Sequence, residues 1–467
     1  MDDPHALISR RRLLRGGLGL GAAAALGLGP VGRLLAQAGQ AGPRHEGYGP
    51  LAPVKDANTG LELLLLPPGF RYTSFGWAGQ PLSDGRPCPG LHDGMGVLDM
   101  RDGVVTLVRN HEVKFQLAGS FAPPDATYDP DCAGGTVTLR FDTRSGTLVE
   151  ARPSLSGTLV NCAGGTTPWG TWLSCEEIVR EAGDMPRFRD GRRRRLQRSH
   201  GWVFEVPARG LARPEPLTGL GQMKHEAATV DPSTGIVYLT EDHEPRAGFY
   251  RFVPDKPGEL ARGGRLQMLQ ARGAPDLRRG RRAGEVFPVR WVDIPEPACG
   301  RDDGGGPGGL VAQGLANGGS AFIRLEGVVV GDGRVFFTST SGGDARCGQL
   351  WAYRPGEETL ELVFESPSPQ VLDYPDNIIL SPRGGLVICE DSEQAVQRLY
   401  GMAPGGGLFE FCRNNVRLDG RMGFSGDFRH EEWAGACFSP DGQWLFANVY
   451  EPGFTVAITG PWKAGLI

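Results

Sequence analysis

The sequence has no Cys-x-x-Cys pair, no cluster of two or three histidines, and no apolar run of the ~20 residues that a bilayer span needs. The first absence removes zinc knuckles and thioredoxin-like redox chemistry, and the last removes a membrane-spanning helix. Lys and Arg number 49 against 54 Asp and Glu, a formal charge of -5, which leaves no electrostatic footprint for nucleic acid. The glycine-rich run 303–309 lacks the Gly-Lys-Ser/Thr ending of a nucleotide phosphate loop. No Ser or Thr stands in a recognised nucleophile setting. What the chain has in excess is turn-forming residues, 72 Gly and 37 Pro in 467, a density that few long helices survive.

The N-terminus carries a targeting signal: Ser9-Arg10-Arg11-Arg12-Leu13-Leu14, a short Gly/Ala-rich apolar region from Gly16 to Gly29, and an Ala-x-Ala site at Ala36–Ala38. This arrangement predicts a twin-arginine signal peptide over 1–38, cleaved near Ala38, then a polar linker over 39–49 and a single domain over 50–467. The expected product is a monomer handed folded to the twin-arginine export machinery, periplasmic or extracellular, with no membrane anchor after cleavage. Nine cysteines is an odd number, so at least one thiol stays unpaired in a monomer. Cys175 is the candidate, while Cys389 and Cys437, inside apolar strands, read as core residues.

From about residue 60 onward the chain repeats one pattern. Apolar or alternating runs of strand length, such as Trp169–Cys175, Ile236–Thr240, Val335–Ser339 and Gly385–Cys389, are separated by Gly, Pro, Asp and Asn. There are roughly two dozen, at the spacing of about 8–12 residues that an all-β protein shows. Turns such as Asp231-Pro232-Ser233-Thr234-Gly235 and Ser439-Pro440-Asp441-Gly442 place Pro second and Gly where positive φ is needed. The pattern predicts an all-β protein, a β-propeller of about six four-stranded blades with irregular loop insertions, the alternative being a pair of β-sandwiches. Two arginine-rich blocks, 180–198 and 272–282, interrupt it and read as solvated loops, one of which could attract an anionic substrate.

The stretch Asn161–Glu177 is the most informative. Ala163, Gly164 and Gly165 predict a tight turn, as do His92–Gly96 earlier, and a short strand then ends on Cys175-Glu176-Glu177. A thiol beside paired carboxylates is costly to bury unless protonated, hydrogen-bonded or metal-bound. Other acids stand where an apolar run meets a turn: Glu112, Glu226, Glu241-Asp242, Glu326, Asp376 and Glu390-Asp391. Propeller strands converge at the mouth of a central channel, so these carboxylates would converge there and bind cations or stay protonated. Oxygen ligands in such number favour calcium, and a thiolate among them adds a transition metal, iron before zinc because histidines are not clustered.

These motifs resemble the PhoX-type alkaline phosphatases and their shorter relatives, over nearly everything from Gly49 to Trp462. The resemblance is carried by Arg109-Asn110-His111-Glu112, Pro168-Trp169-Gly170-Thr171-Trp172-Leu173-Ser174-Cys175-Glu176-Glu177, Lys224-His225-Glu226, Thr240-Glu241-Asp242, Arg324-Leu325-Glu326-Gly327, Pro375-Asp376-Asn377 and Ile388-Cys389-Glu390-Asp391. It implies an exported propeller phosphomonoesterase with a mixed Fe(3+) and Ca(2+) cluster at one channel mouth and a small phosphoester as substrate. The ligands it leads one to expect are Cys175, Glu176, Glu112, Glu226, Glu241, Glu326, Asp376 and Glu390. Arg324 would contact the phosphate beside Glu326. Pro375-Asp376-Asn377 also resembles the calcium-binding turn of gluconolactonase-like propellers, so a calcium-dependent lactonase-like hydrolase is one alternative. A non-catalytic periplasmic binding propeller is the other.

Overall fold

The structure, a computed structural model, describes residues 45–117, 119–300, 309–392 and 396–467. The expected signal peptide and nearly all of the glycine-rich run lie outside the described residues.

Six strands form the inner wall: His92–Arg101, Asn161–Thr166, His225–Val230, Leu325–Gly331, Pro375–Leu380 and Trp433–Phe438. Each touches the next and the last touches the first, so the ring closes. Each inner strand leads an antiparallel meander outward, and these six sheets are the blades, numbered here in chain order. Blade 1 continues through Val104–His111, Gly134–Asp142 and Thr147–Thr158. Blade 2 has three strands and an isolated bridge, Phe204 to Pro216, in place of a fourth. Blades 3 and 4 are joined at their rims by Val286–Asp293, which pairs with strands of both. In blade 6 the outermost strand is Arg71–Phe75 from the start of the chain, paired with Phe454–Thr459 near its end. The ring is thus fastened by pairing between the two ends of the domain. The fold also takes in part of the expected linker: Tyr48 is buried among Phe70, Phe409, Phe411 and Trp462, and its hydroxyl donates to the Ile467 carbonyl at 2.6 Å.

Strand periodicity explains the packing. Successive side chains leave opposite faces, so a strand within a blade feeds both neighbours. Val237 and Leu239 face blade 2 with Leu173 and Val203, while Tyr238 between them faces blade 4 with Phe337 and Tyr353. Each of the six blade-to-blade interfaces holds such an apolar layer. Burying one Val, Leu or Phe contributes about 1.5–3 kcal/mol. All nine cysteines are free, and Cys389 and Cys437 lie in these layers.

Every inner strand departs from regular pairing at the same place. The register shifts between its first residue and its fourth in blades 1 to 5, and between Ala434 and Cys437 in blade 6. The segments His92–Gly96 and Ala163–Gly165, expected as turns, lie in bulged strands instead. Their glycines serve close approach of backbone to backbone: a Cβ on Gly165 would stand 1.8 Å from the Ala228 carbonyl oxygen, and one on Gly164 1.9 Å from that of Leu173. A bulge re-aims the side chains beside it, here at the end of the channel where all six inner strands begin.

Candidate metal centre at the channel mouth

The second residue of the first five inner strands is Asp93, Cys162, Glu226, Glu326 and Asp376 in turn, and blade 6 has Ala434 in the equivalent place. Asp93, Glu226, Glu326 and Asp376 are almost fully buried. A second tier comes from the residue just past the adjacent strand of each blade: Glu112, Glu177, Asp242 and Asp391, with Thr340 and Tyr450 in blades 4 and 6. Glu432, which leads into blade 6, is a ninth carboxylate of the group.

The electrostatics are those of an anionic site short of cations. Burial first, and neighbouring carboxylates after it, push Asp93, Glu177, Glu226, Glu326, Asp376 and Glu432 well above the usual carboxylate range. Glu112 is pushed up to about 7 by burial, against a hydrogen bond from the Tyr450 hydroxyl. The Cys162 thiol is pushed up by burial and then by Asp93, Glu226 and Glu177. Arg324 is a cation held among these groups: it lies 3.2 Å from Asp242 and 2.5 Å from Glu326, half-buried, with its backbone at φ 42. Glu326 and then Asp242 hold its guanidinium firmly protonated.

The donor set fits a metal on three observations. Glu226 Oε1 and Asp93 Oδ1 are buried without a hydrogen-bond partner, an arrangement that costs free energy unless something else satisfies them. One ligand atom each from Cys162, Glu177 and Glu226 lies within 4.8 Å of the other two. Cys162 Sγ also lies 3.5 Å from Asp93 Oδ2. Carboxylate oxygens around one thiolate suit hard cations beside a transition metal.

Of the residues expected from sequence, the structure brings together Glu112, Glu226, Glu326, Asp376 and Arg324. It places the other four elsewhere, each with partners of its own. Cys175 faces the blade 2–blade 3 layer beside Leu173 and Val203, where burial alone raises its thiol. Glu176 accepts from His200 Nδ1 at 2.7 Å and from the backbone N–H groups of Leu159, Gly201 and Trp202. Glu241 accepts from Gly248 N and the Tyr250 hydroxyl. Glu390 is held by Arg398 through two hydrogen bonds, at 2.7 and 2.8 Å. Glu176, Glu241 and Glu390 end their strands with side chains turned away from the channel, and the next residue along, Glu177, Asp242 or Asp391, reaches the axis, while Cys175 sits one residue further inside its strand and faces the apolar layer. His111 and His225 hydrogen-bond to the carbonyls of Gly90 and Gly221. Sequence reasoning missed Asp93, Cys162 and Glu432 as site residues, and it counted Glu177, Asp242 and Asp391 among the strand-end acids without choosing them as ligands. A signal for Asp93 and Cys162 existed, in the recurrence of an acid or thiol followed by a small residue at four of the strand starts: Asp93-Gly94, Cys162-Ala163, Glu226-Ala227, Glu326-Gly327.

Below this mouth the channel narrows to a cavity of about 210 Å³ lined by Gly96, Gly164, Ala228, Val328, Ile378 and Cys437, among others. The cavity lining carries no charged side chain, in contrast to the mouth.

Comparisons with known proteins agree with this architecture. The family model described as alkaline phosphatase PhoX matches residues 46–154 and 132–453. The solved structure of Pseudomonas fluorescens PhoX in complex with vanadate, a transition state analogue, superposes with a TM-score of 0.62 at 17% identity, over 88% of this chain and 98% of that one. A gluconolactonase from Xanthomonas campestris aligns over 88% of this chain and 98% of its own at 12% identity, with a TM-score of 0.40. No curated protein matches the sequence.

Proposed function

The chain belongs to the alkaline phosphatase PhoX family, phosphoric monoester hydrolases, and on that footing we propose that it hydrolyses small phosphomonoesters at this mouth, where the two tiers of carboxylates and Cys162 would hold iron and calcium. The observation that carries this reading is the convergence of nine carboxylates and a thiol on one channel mouth, with Glu226 Oε1 and Asp93 Oδ1 unpaired. Cys162, Glu177 and Glu226 would hold the iron, and the remaining acids would hold calcium through oxygen alone. Such ions, when bound, neutralise charge that builds on the phosphoryl oxygens. The chain's own residues do the rest. Arg324 offers a planar fork that can give two parallel hydrogen bonds to a phosphate. Its salt bridges to Asp242 and Glu326 hold the guanidinium in place before substrate arrives, so little ordering is left for the moment of binding. Tyr450, hydrogen-bonded to Glu112, fixes that carboxylate's orientation. We further propose export by the twin-arginine route, on the Ser9–Leu14 motif, to the periplasm or beyond, as a monomer.

The test is metal analysis by mass spectrometry alongside p-nitrophenyl phosphate hydrolysis, on protein purified from the periplasm. Iron and calcium together with hydrolysis are expected. Calcium without iron and without hydrolysis would overturn the reading in favour of a lactonase-like or binding propeller.

A further inference from the structure

A second charged feature stands on the same face. The segment 187–198 holds seven arginines against one acid, Asp190. It belongs to the connection between strand Thr171–Glu176 and strand Val203–Pro207, which leaves blade 2 at Glu177 and therefore rises from the mouth.

The segment is anchored rather than loose. Arg187 and Arg193 close a hairpin through a β-bridge. Phe188 is buried against the ring of Phe115, with centroids 5.3 Å apart, and Arg189 N donates to the Phe115 carbonyl at 2.8 Å. Phe115 follows closely on the mouth carboxylate Glu112 in sequence, so the hairpin is tied to the connection that leaves blade 1 at the mouth. At its base Leu196 packs with Cys132 and Val160, and the N–H groups of Gln197 and Arg198 donate to Asp129 Oδ2 at 2.7 and 3.2 Å.

Within the hairpin, Arg194 pairs with Asp190 at 2.6 Å and lies over the Phe188 ring. Arg187, Arg189, Arg192 and Arg195 are exposed, and among the described residues none of them makes an ion pair. In the other arginine block, 272–282, Arg278 pairs with Asp276 and Arg281 donates to the Asp276 carbonyl, so two of its five arginines hold their own loop. Four like charges on one fixed hairpin repel each other, and an anion between them relieves that repulsion. A freely solvated loop would not need to be fastened to the neighbouring connection that leaves the mouth.

We infer that this hairpin is an anion subsite of the mouth, and that the substrates it favours are phosphomonoesters bearing a second phosphate away from the scissile one. This rests on the phosphatase reading above. Guanidinium groups take phosphate through paired hydrogen bonds, and a fixed cationic rim raises the local concentration of polyanions at an otherwise acidic entrance. A group bound equally in ground and transition state lowers KM and leaves kcat unchanged.

The experiment compares fructose 6-phosphate with fructose 1,6-bisphosphate, in metal-replete wild type, in the triple variant R189Q/R192Q/R195Q and in R189K/R192K/R195K, after equal melting temperatures have been verified. Wild type is expected to show a KM for the bisphosphate lower by roughly fivefold, since exposed pairs each contribute modestly. The advantage should shrink with added salt and vanish in the glutamine variant, with kcat on the monophosphate unchanged, while the lysine variant keeps most of it. A wild-type preference that survives the glutamine variant, or no preference at all, overturns the inference and leaves the phosphatase reading standing. Loss of binding to anionic lipid vesicles in the glutamine variant, with KM values unmoved, assigns the hairpin to a surface and overturns it too. No hydrolysis of either sugar phosphate or of p-nitrophenyl phosphate overturns the phosphatase reading first, and this inference with it.

Discussion

Cys162 and Cys175 lie in one stretch of sequence and in opposite environments. Cys175 is surrounded by the aliphatic layer between two blades, and Cys162 by carboxylates. Cys162→Ser should therefore lose iron and nearly all p-nitrophenyl phosphate hydrolysis while its melting temperature in calcium stays close to wild type. Cys175→Ala should keep iron and activity and lose about 1–3 kcal/mol of stability to the cavity it leaves. Metal content and thermal denaturation of the two variants separate these outcomes, and the reverse pattern would place the thiolate ligand at Cys175. Arg324→Lys keeps the charge and removes the fork, so kcat/KM should fall by roughly 30-fold with metal content intact. The region of the site was legible in the sequence, because acids at strand ends do converge in a propeller. Which member of each pair reaches the axis was not. Glu241 and Asp242, or Glu390 and Asp391, are equivalent as letters, and only the point where the strand ends decides which one turns between blades and which one leaves it at the channel.

At the scale of the strand, the recurring unit is the bulge that opens each inner strand. It aims Asp93, Glu226, Glu326 and Asp376 into the mouth, and it depends on backbone approaching backbone more closely than a side chain permits. Gly165→Ala would drive a methyl into the Ala228 carbonyl, which is main chain and cannot rotate away. That variant should lose more than ~2 kcal/mol and, since the displaced strand also carries Cys162, should lose iron as well. Gly170→Ala is the control: its Cβ would meet open space, and the penalty is confined to holding a non-glycine residue at φ +81. About 1 kcal/mol with full iron content is the expected result there. Equal losses in the two variants, read by chemical denaturation and metal analysis, would show that the bulge is not what positions the site. The blade pattern was readable from alternation and turn residues. The bulge was not, since His92–Gly96 and Ala163–Gly165 are rich enough in small residues to read as turns until their pairing partners on the next strand are known.

At the scale of the whole molecule, the six blades are held apart from collapse and together against repulsion by different parts of the structure. Apolar layers between blades and the pairing of Arg71–Phe75 with Phe454–Thr459 close the ring. The mouth works against closure, because each inner strand but one delivers an acid or a thiol to the same axis, and like charges brought together from six directions push the blades apart. Cations at the mouth should thus act as the keystone of the ring. Free ligand at about 1,000 times its Kd stabilises the bound state by roughly 4 kcal/mol, which for a domain of this size is a melting shift of about 5 °C. Removing metal with a chelator should lower the melting temperature by that order, and calcium alone should restore most of it, because the acids that surround Arg324 need only hard cations to balance them. Hydrolysis should stay absent until iron is also returned, since the thiolate position is not one that calcium fills well. A chelated protein that melts at the same temperature as the replete one would mean that the carboxylates are protonated rather than ion-bound in the folded state. Their elevated proton affinity, produced by burial, would then be the resting condition of the mouth, and the ring would owe its closure to the apolar layers alone.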